Sequence, residues 1–392
     1  MSDRIAVVGA GVVGSATALE LARGGGDVRL LEADCIAAGV TGGSLAALTR
    51  HPAGHPAALP FVLEAPARWA ALAMEFRDRF GIDVEYEVSG QLSLVEGETP
   101  EQQAEATAAA RAIVESERKT GLTSEFVSAE RARELVPALA GDHVAGATWA
   151  PGDATINALI ACRALVHAAV AAGAVVQTSA RVRKLLPQGS HWDLVTSRGL
   201  VHADAVVLAC GPWTASLVAE LEPALEMALL PKRAQCCITE PVEPMIGPVI
   251  ASISVGISTG YTQLHQTRSG HVMFNTVTET RDPRLPDGSL ADGVDHDFLV
   301  ASARRLVDLF PRLASARLLR SWGACEAWTA DQRFLIGPVG PQQGLFVAAG
   351  DNGTGFLRAP MVARAVAALI KGEEFGYDLT RYEPLRRIAV SL

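Results

Sequence analysis

The stretch from Arg4 to Glu32 constrains this chain more than any other. Arg4 to Val8 is a short apolar run that reads as a buried strand, and Gly9-Ala10-Gly11-Val12-Val13-Gly14 follows it. A helix is expected over about Val12 to Arg23, ended by Gly24-Gly25-Gly26, with a second strand over Asp27 to Leu31. Strand, glycine turn, helix and strand within about thirty residues make a βαβ unit. In such a unit Gly9 permits the tight turn, Gly11 lets a pyrophosphate approach the backbone, and Gly14 lets the helix pack closely on the strand. The helix N-terminus offers unpaired N–H groups and a partial positive charge to phosphate. Glu32, at the end of the second strand, is placed to accept a hydrogen bond from a ribose hydroxyl and would repel a 2′-phosphate, which disfavours NADP. Taken alone, the unit fits FAD or NAD.

The rest of the composition narrows the setting. A chain of 392 residues, 49% hydrophobic and 20% charged, is long enough for two cores, so two domains or one large domain with an insertion is expected. The net charge of −9 and the absence of a Lys/Arg run argue against nucleic acid as a partner. The cysteines, Cys35, Cys162, Cys210, Cys236, Cys237 and Cys325, form no CxxC pair, so neither a zinc knuckle nor a dithiol motif is expected; free thiols in a reducing compartment are. His51 and His55 have no adjoining carboxylate and make no metal set. The apolar start runs straight into the glycine loop rather than a cleavage site, and the apolar stretch Ala158 to Val176 contains Arg163 and His167. A cytoplasmic protein without a transmembrane segment is therefore expected.

Along the chain, Thr41 to about Pro60 is rich in Gly, Ala, Pro and His and reads as an ordered loop over a ligand. Helices are expected over Glu64 to Phe80, Pro100 to Thr120, Ala129 to Leu135, Asn157 to Gly173 and Asp295 to Leu309. Strands are expected over Val88 to Val95, Ala174 to Thr178 and His202 to Cys210. Ala234 to Thr239, Tyr261 to Gln266 and His271 to Thr276 have the look of an antiparallel sheet joined by turns such as Arg268-Ser269-Gly270. Gly344 to Ala349 is a final strand, followed by Asp351-Asn352-Gly353-Thr354-Gly355-Phe356 and a helix from about Ala359, with Pro360 suiting a helix start. The fold class that follows is α/β: a Rossmann-type domain assembled from 1–45, 140–220 and 320–392, with an inserted α+β substrate domain from 46–139 and 221–319. Backbone N–H groups of Gly353 to Gly355 can face an anion, which in a flavin enzyme is the N1/O2 edge of the reduced ring.

These motifs together resemble the FAD-dependent oxidoreductases of the D-amino-acid oxidase and glycine oxidase superfamily. The resemblance spans nearly the whole chain. It rests on the N-terminal glycines with Glu32, on Gly152-Asp153 to Asn157 opening the middle helix, and on Ala203-Asp204-Ala205-Val206-Val207-Leu208-Ala209-Cys210-Gly211-Pro212-Trp213. It rests also on Thr329-Ala330-Asp331 to Ile336-Gly337-Pro338, and on Ala348-Ala349-Gly350 to Gly355-Phe356. The segments Pro231-Lys232-Arg233-Ala234-Gln235, Thr239-Glu240-Pro241 and His265-Gln266-Thr267 look like the catalytic subunit of heteromeric opine, proline and hydroxyproline dehydrogenases, which work beside partner chains.

The resemblance implies FAD as cofactor and oxidation of a small amine or amino acid by hydride transfer to flavin N5, giving an imine that hydrolyses. It implies FAD contacts from Gly9, Gly11, Val12, Val13, Gly14, Glu32 and Ala33, and from Thr41, Gly43 and Ser44. Further contacts fall on Val182, Cys210, Gly211 and Trp213, and on Gly350, Gly353, Thr354, Gly355 and Phe356. Many relatives carry a carboxylate-binding arginine in a Trp-x-Gly-x-Arg-Pro segment, and by spacing Glu326 stands in its place here. In that register a simple α-carboxylate is repelled and a second cationic group is attracted; the other reading is a structural Glu326 paired with Arg320 or Arg333. Arg50 resembles an arginine that sarcosine oxidases place near the flavin and is the alternative carboxylate anchor. His51, Tyr261 and His265 are further candidates for lining the substrate. Cys325 falls near, but one position off, the cysteine to which some sarcosine oxidases attach flavin. Two rivals stand beside this reading: an NAD-dependent dehydrogenase, opposed by the glycine-rich C-terminal unit, and a flavin-binding subunit with an electron-relay or structural role in a complex.

Overall fold

The computed structural model describes residues 4–50, 59–141, 143–222, 225–254, 261–277, 283–285, 290–291 and 293–386. The motif strands of the N-terminus enter a six-stranded sheet ordered Leu335–Pro338, Leu345–Ala349, Ala205–Leu208, Arg4–Val8, Asp27–Leu31, Val175–Gln177. All neighbours are parallel except the first pair. From Arg4–Val8 the chain builds outward first to one side, through Asp27–Leu31 and Val175–Gln177, and then to the other, through Ala205–Leu208. Strand order therefore reverses at Arg4–Val8, and a crevice opens at the carboxyl ends of the two strands flanking the reversal, where doubly wound sheets bind their ligands.

Helices Val12–Arg23, Ala158–Ala171 and Gly355–Lys371 share one apolar core with this sheet. A three-stranded antiparallel sheet, Val182–Gln188, His191–Thr196 and Gly199–Ala203, shares a second core with it through Trp192, Leu194 and Val201. The last long helix starts at Gly355, earlier than the sequence suggested, so Pro360 lies inside it rather than at its start. Proline there cannot donate to the carbonyl four residues back. That carbonyl, of Phe356, is satisfied from outside: buried Trp69 donates its indole N–H to Phe356 O at 3.0 Å and to Leu357 O at 3.1 Å.

The antiparallel strands foreseen in the middle of the chain belong to an eight-stranded sheet. Its order is Leu318–Trp328, Leu230–Pro241, His271–Val277, Tyr261–Gln266, Val249–Ser254, Gln91–Glu96, Val144–Ala150, Glu125–Ser128. Only the pairing of Val249–Ser254 with Gln91–Glu96 is parallel. The alternation Gln91-Leu92-Ser93-Leu94 suggests a half-buried strand, but Gln91–Glu96 is buried along its whole length, because it lies inside the sheet between two neighbouring strands and under flanking elements. Helix His296–Leu309 packs on one face through Phe298, Leu306 and Leu309. The strands Val144–Ala150 and Leu318–Trp328, which the sequence placed with the cofactor domain, hydrogen-bond into this second sheet. Leu335–Pro338 enters the first sheet directly after Leu318–Trp328, so composition alone does not mark that crossing.

Candidate functional site: a dinucleotide crevice under an antiparallel sheet

Gly9 has φ +104°, and a Cβ there would lie 2.5 Å from Ala209 O, so the turn and the close approach of the two motif strands both require glycine. A Cβ on Gly14 would fall 1.9 Å from Gly9 O; its absence is what seats helix Val12–Arg23 against the turn. The first turn of that helix carries no acidic residue, and its N-cap, Gly11, supplies no side-chain bond. Val12 N–H donates to Thr41 Oγ1 at 3.0 Å. The positive end of the helix dipole therefore has no negative side chain of its own, which suits a pyrophosphate.

Glu32 stands beside the turn. Its Oε2 accepts Ala10 N–H at 2.7 Å and its Oε1 accepts Asp34 N–H at 2.9 Å, so the carboxylate is held in place with lone pairs left for a ribose hydroxyl. Ala33 follows directly, and Val182 enters the three-stranded sheet nearby. Cys210 donates its thiol to Val8 O at 3.3 Å, and burial pushes its pKa up to about 12, so it is a neutral wall of the crevice. Gly211, at φ +55°, has no atom within 4 Å of a would-be Cβ, and a Cβ on Gly39 would lie 3.8 Å from the half-exposed Trp213 ring. Val12 and Val13 open the helix, in its first turn.

The segment from Thr41, expected as a loop, opens instead inside a short helix, Val40–Gly43, which with Ser44 joins this crevice to the large sheet. Trp322 donates its indole N–H to Gly43 O at 2.9 Å, and a Cβ on Gly43 would lie 2.9 Å from that nitrogen. Ser44 Oγ accepts Ala46 N–H at 2.9 Å, and Ala46 has φ +51°. Gly350, Asn352 and Gly353 all have positive φ, and the segment is pinned by Asn352, whose Oδ1 accepts Thr329 N–H at 2.8 Å and whose Nδ2 donates to Gly350 O at 2.6 Å. Thr354 Oγ1 donates to Asp351 O at 2.8 Å. Gly355 begins the helix, where a Cβ would lie 2.5 Å from Asp351 Oδ2. Phe356 turns inward and stacks on Trp69 at 5.4 Å, so only its backbone is available to a cofactor. Two helix N-termini whose N-cap residues make no side-chain bond, a held acid and glycine-lined space fit the pyrophosphate, ribose and ring of FAD.

The candidate substrate residues separate in space. Glu326 lies on the strand Leu318–Trp328, opposite Lys232, and accepts the indole N–H of Trp328 at 2.7 Å. Its Oε2 is 3.4 Å from the position a Cβ on Gly353 would take, so the carboxylate faces the glycine turn. Burial raises its pKa. It has no ion pair with Arg320 or Arg333; Arg320 rests instead near the Trp322 ring at 5.9 Å. Asp351 has its pKa raised to about 7, by burial first and by the neighbouring Glu326 second. Sequence reasoning quoted Asp351 within a motif but gave it no role, because its proximity to Glu326 arises from two different sheets.

Arg50 donates its Nε–H to Asp153 Oδ1 at 2.8 Å, an acid that is fully buried. One of the guanidinium's faces is thus committed to the protein, which weakens it as a free carboxylate anchor; its Nη2 is buried without a hydrogen bond. His51 lies outside the described residues, and of Tyr261 only its place in the strand Tyr261–Gln266 is described. His265 is buried, its Nδ1 has no hydrogen-bond partner, and burial lowers its pKa to about 4, so it is a neutral imidazole. It lines a cavity of about 520 Å³ between the loop that includes Gly42–Leu45, Thr155–Leu159 and the inner face of the large sheet at Met273 and Trp322. Cys325 points to the opposite side of its strand from Glu326 and donates to Ala291 O at 3.3 Å, so it turns away from the glycine turn.

A doubly wound domain with this crevice, capped by a large antiparallel sheet, defines a dinucleotide-dependent oxidoreductase. The chain belongs to the FAD-dependent oxidoreductase family, whose profile matches residues 4–369, and its cofactor is FAD. It is 29% identical to glycine oxidase of Geobacillus kaustophilus over 387 residues, covering 98% of this chain and 97% of that protein. It is 28% identical to 4-methylaminobutanoate oxidase of Paenarthrobacter nicotinovorans, covering 96% of this chain and 44% of that one. The crystal structure of the Geobacillus kaustophilus glycine oxidase superposes with a TM-score of 0.88 at 26% identity, covering 99% of this chain and all of that one. No helix among the described residues is long and apolar enough to cross a membrane.

Proposed function

We propose that this chain oxidises the C–N bond of a small primary or secondary amine whose cationic nitrogen is received by Glu326. When bound, FAD supplies the acceptor for the hydride lost from the carbon next to nitrogen. The protein's part is to orient that carbon, to take up the charge of the amine and to keep water from the ring. The observation that carries this reading is the Glu326 carboxylate turned toward Gly353, steadied by the Trp328 indole at 2.7 Å. An ammonium entering there meets an acceptor whose raised pKa brings its proton affinity closer to that of the amine, which eases delivery of the neutral amine. Asp351, beside it, extends the proton-accepting group. A simple α-carboxylate meets repulsion at the same place. The names of the relatives, glycine oxidase and 4-methylaminobutanoate oxidase, support an amine or amino acid as the substrate class. The product imine hydrolyses after release. The proposal includes a discontinuous FAD domain and an inserted substrate domain, the latter containing Val144–Ala150 and Leu318–Trp328.

A second reading is a subunit that hands electrons to partner chains. It is favoured by the exposed Leu318 and Leu319 on the edge strand of the large sheet, 48% and 62% exposed, and by 27% identity over 267 residues to a sarcosine oxidase subunit beta of an Arthrobacter species.

An anaerobic visible spectrum of the purified chain, recorded while adding opines, prolines, N-methyl amines, amino acids and polyamines, tests both. Bleaching by amines that lack an α-carboxylate supports the first reading. Bleaching by simple α-amino acids alone overturns the role given to Glu326. A yellow protein bleached by none, yet reducible by dithionite, favours the subunit reading.

A further inference from the structure

The outer face of the three-stranded sheet carries a group of ligating side chains that the flavin chemistry does not use. His191 and Asp193 are two residues apart on one strand and so project to the same side, while Trp192 between them is buried in the core. Asp193 pairs across the hairpin with His202. His202 Nδ1 contacts Asp193 Oδ1, and His191 Nε2 is 4.0 Å from the same oxygen. One ligating atom from each of the three lies within 4.8 Å of the others.

The surroundings leave this group free to take an ion. Among the described residues, the ion-pair partners of Asp193 are the two imidazoles, with no Lys or Arg taking its charge at that range. The next acid along, Asp204, is already saturated by Arg4, which donates its backbone N–H, Nε–H and Nη2–H to it. Asp193 is mostly covered, at 14% side-chain exposure, while His191 and His202 are open at 39% and 53%, so solvent reaches the centre of the triangle from one side.

We propose that His191, Asp193 and His202 form a site for a divalent transition-metal ion of the zinc class, clamping the two strands of the hairpin. Two imidazoles and one carboxylate are the donor set that such borderline ions select, whereas calcium and magnesium take oxygen ligands. Three protein ligands leave the remaining position to water. A bound ion replaces the direct His202–Asp193 contact with two metal bonds.

The test is calorimetric titration of zinc chloride into the FAD-loaded full chain, with any affinity tag removed, at pH 7.5. The expected result is one saturable equivalent. His202→Asn and His191→Asn each weaken it by about tenfold or more, while His296→Asn, at an exposed helix start, leaves it unchanged. Unaltered flavin absorbance in each variant shows that it folds. Absence of saturable binding by the parent chain overturns the proposal. Zinc binding that survives intact in both the His191 and His202 variants also overturns it, by placing the ion on other groups. Neither result bears on the amine chemistry.

Discussion

The side chain of Arg50 donates its Nε–H to Oδ1 of Asp153 at 2.8 Å, and Asp153 has no exposed surface. The pair ties the end of the flavin-side loop to the turn before Ala154–Thr155, which itself pairs with Ala47–Leu48. Asp153→Ala leaves a largely covered guanidinium without its counter-charge and is expected to lower stability by about 3 kcal/mol. Urea unfolding followed by tryptophan fluorescence measures it; an unchanged midpoint shows that the pair holds nothing together.

Gly9→Ala places a Cβ 2.5 Å from Ala209 O at a positive φ. The turn has to open, by moving either the helix N-terminus or Ala209. FAD content after purification, read from the ratio of flavin to protein absorbance, is expected to fall sharply, and stability by more than about 1 kcal/mol. Full flavin occupancy in this variant refutes the assignment of the turn to the pyrophosphate.

Asp351 and His265 make opposing contributions to the pH dependence of stability. The pKa of Asp351 rises from 3.8 to about 7 on folding, so the native state holds more protons between those values and stability falls as pH rises through that window. The pKa of His265 drops from 6.5 to about 4, so the native state holds fewer protons there and stability is lost as pH falls from 6.5 towards 4. Asp351→Asn is expected to raise stability at pH 8 by up to about 4 kcal/mol. His265→Phe is expected to flatten the acid limb below pH 6.5. Denaturation series from pH 4 to pH 8 on both variants check the signs; parallel curves for parent and variant remove the assigned cause.

Glu326→Gln keeps an oxygen for the Trp328 indole and removes the negative charge. With a cationic substrate, kcat/KM is expected to fall about 10- to 100-fold, while FAD content and melting temperature stay close to the parent. Glu326→Arg is expected to improve relative use of α-carboxylated amines. Stopped-flow reduction of the bound flavin reads both. A Gln variant with parental kinetics assigns Glu326 to architecture alone.

Much of this molecule is legible locally. The strand, turn and helix of residues 4–31 are written in contiguous residues whose hydrophobic pattern and glycines act over a few positions, and the structure places them where they were expected. The same holds for helix Ala158–Ala171 with its Asn157 cap, which accepts Ile160 N–H at 3.1 Å. Pro360 was misread because the group that serves the carbonyl it strands, the Trp69 indole, lies nearly three hundred residues away.

By itself, then, the sequence determined the dinucleotide turn, its acid at Glu32, the mixed architecture and the flavin family, since each depends on short-range pattern. Only the tertiary structure decided which charges meet. Glu326 faces Gly353 and Asp351 because one edge of the large sheet lies over the carboxyl end of the other sheet. Arg50 turns to Asp153, and Asp193 to His202, because of loop path and strand register. A one-residue slip in a strand reverses every side chain on it, so pairings of this kind follow from the assembled sheet and not from spacing along the chain.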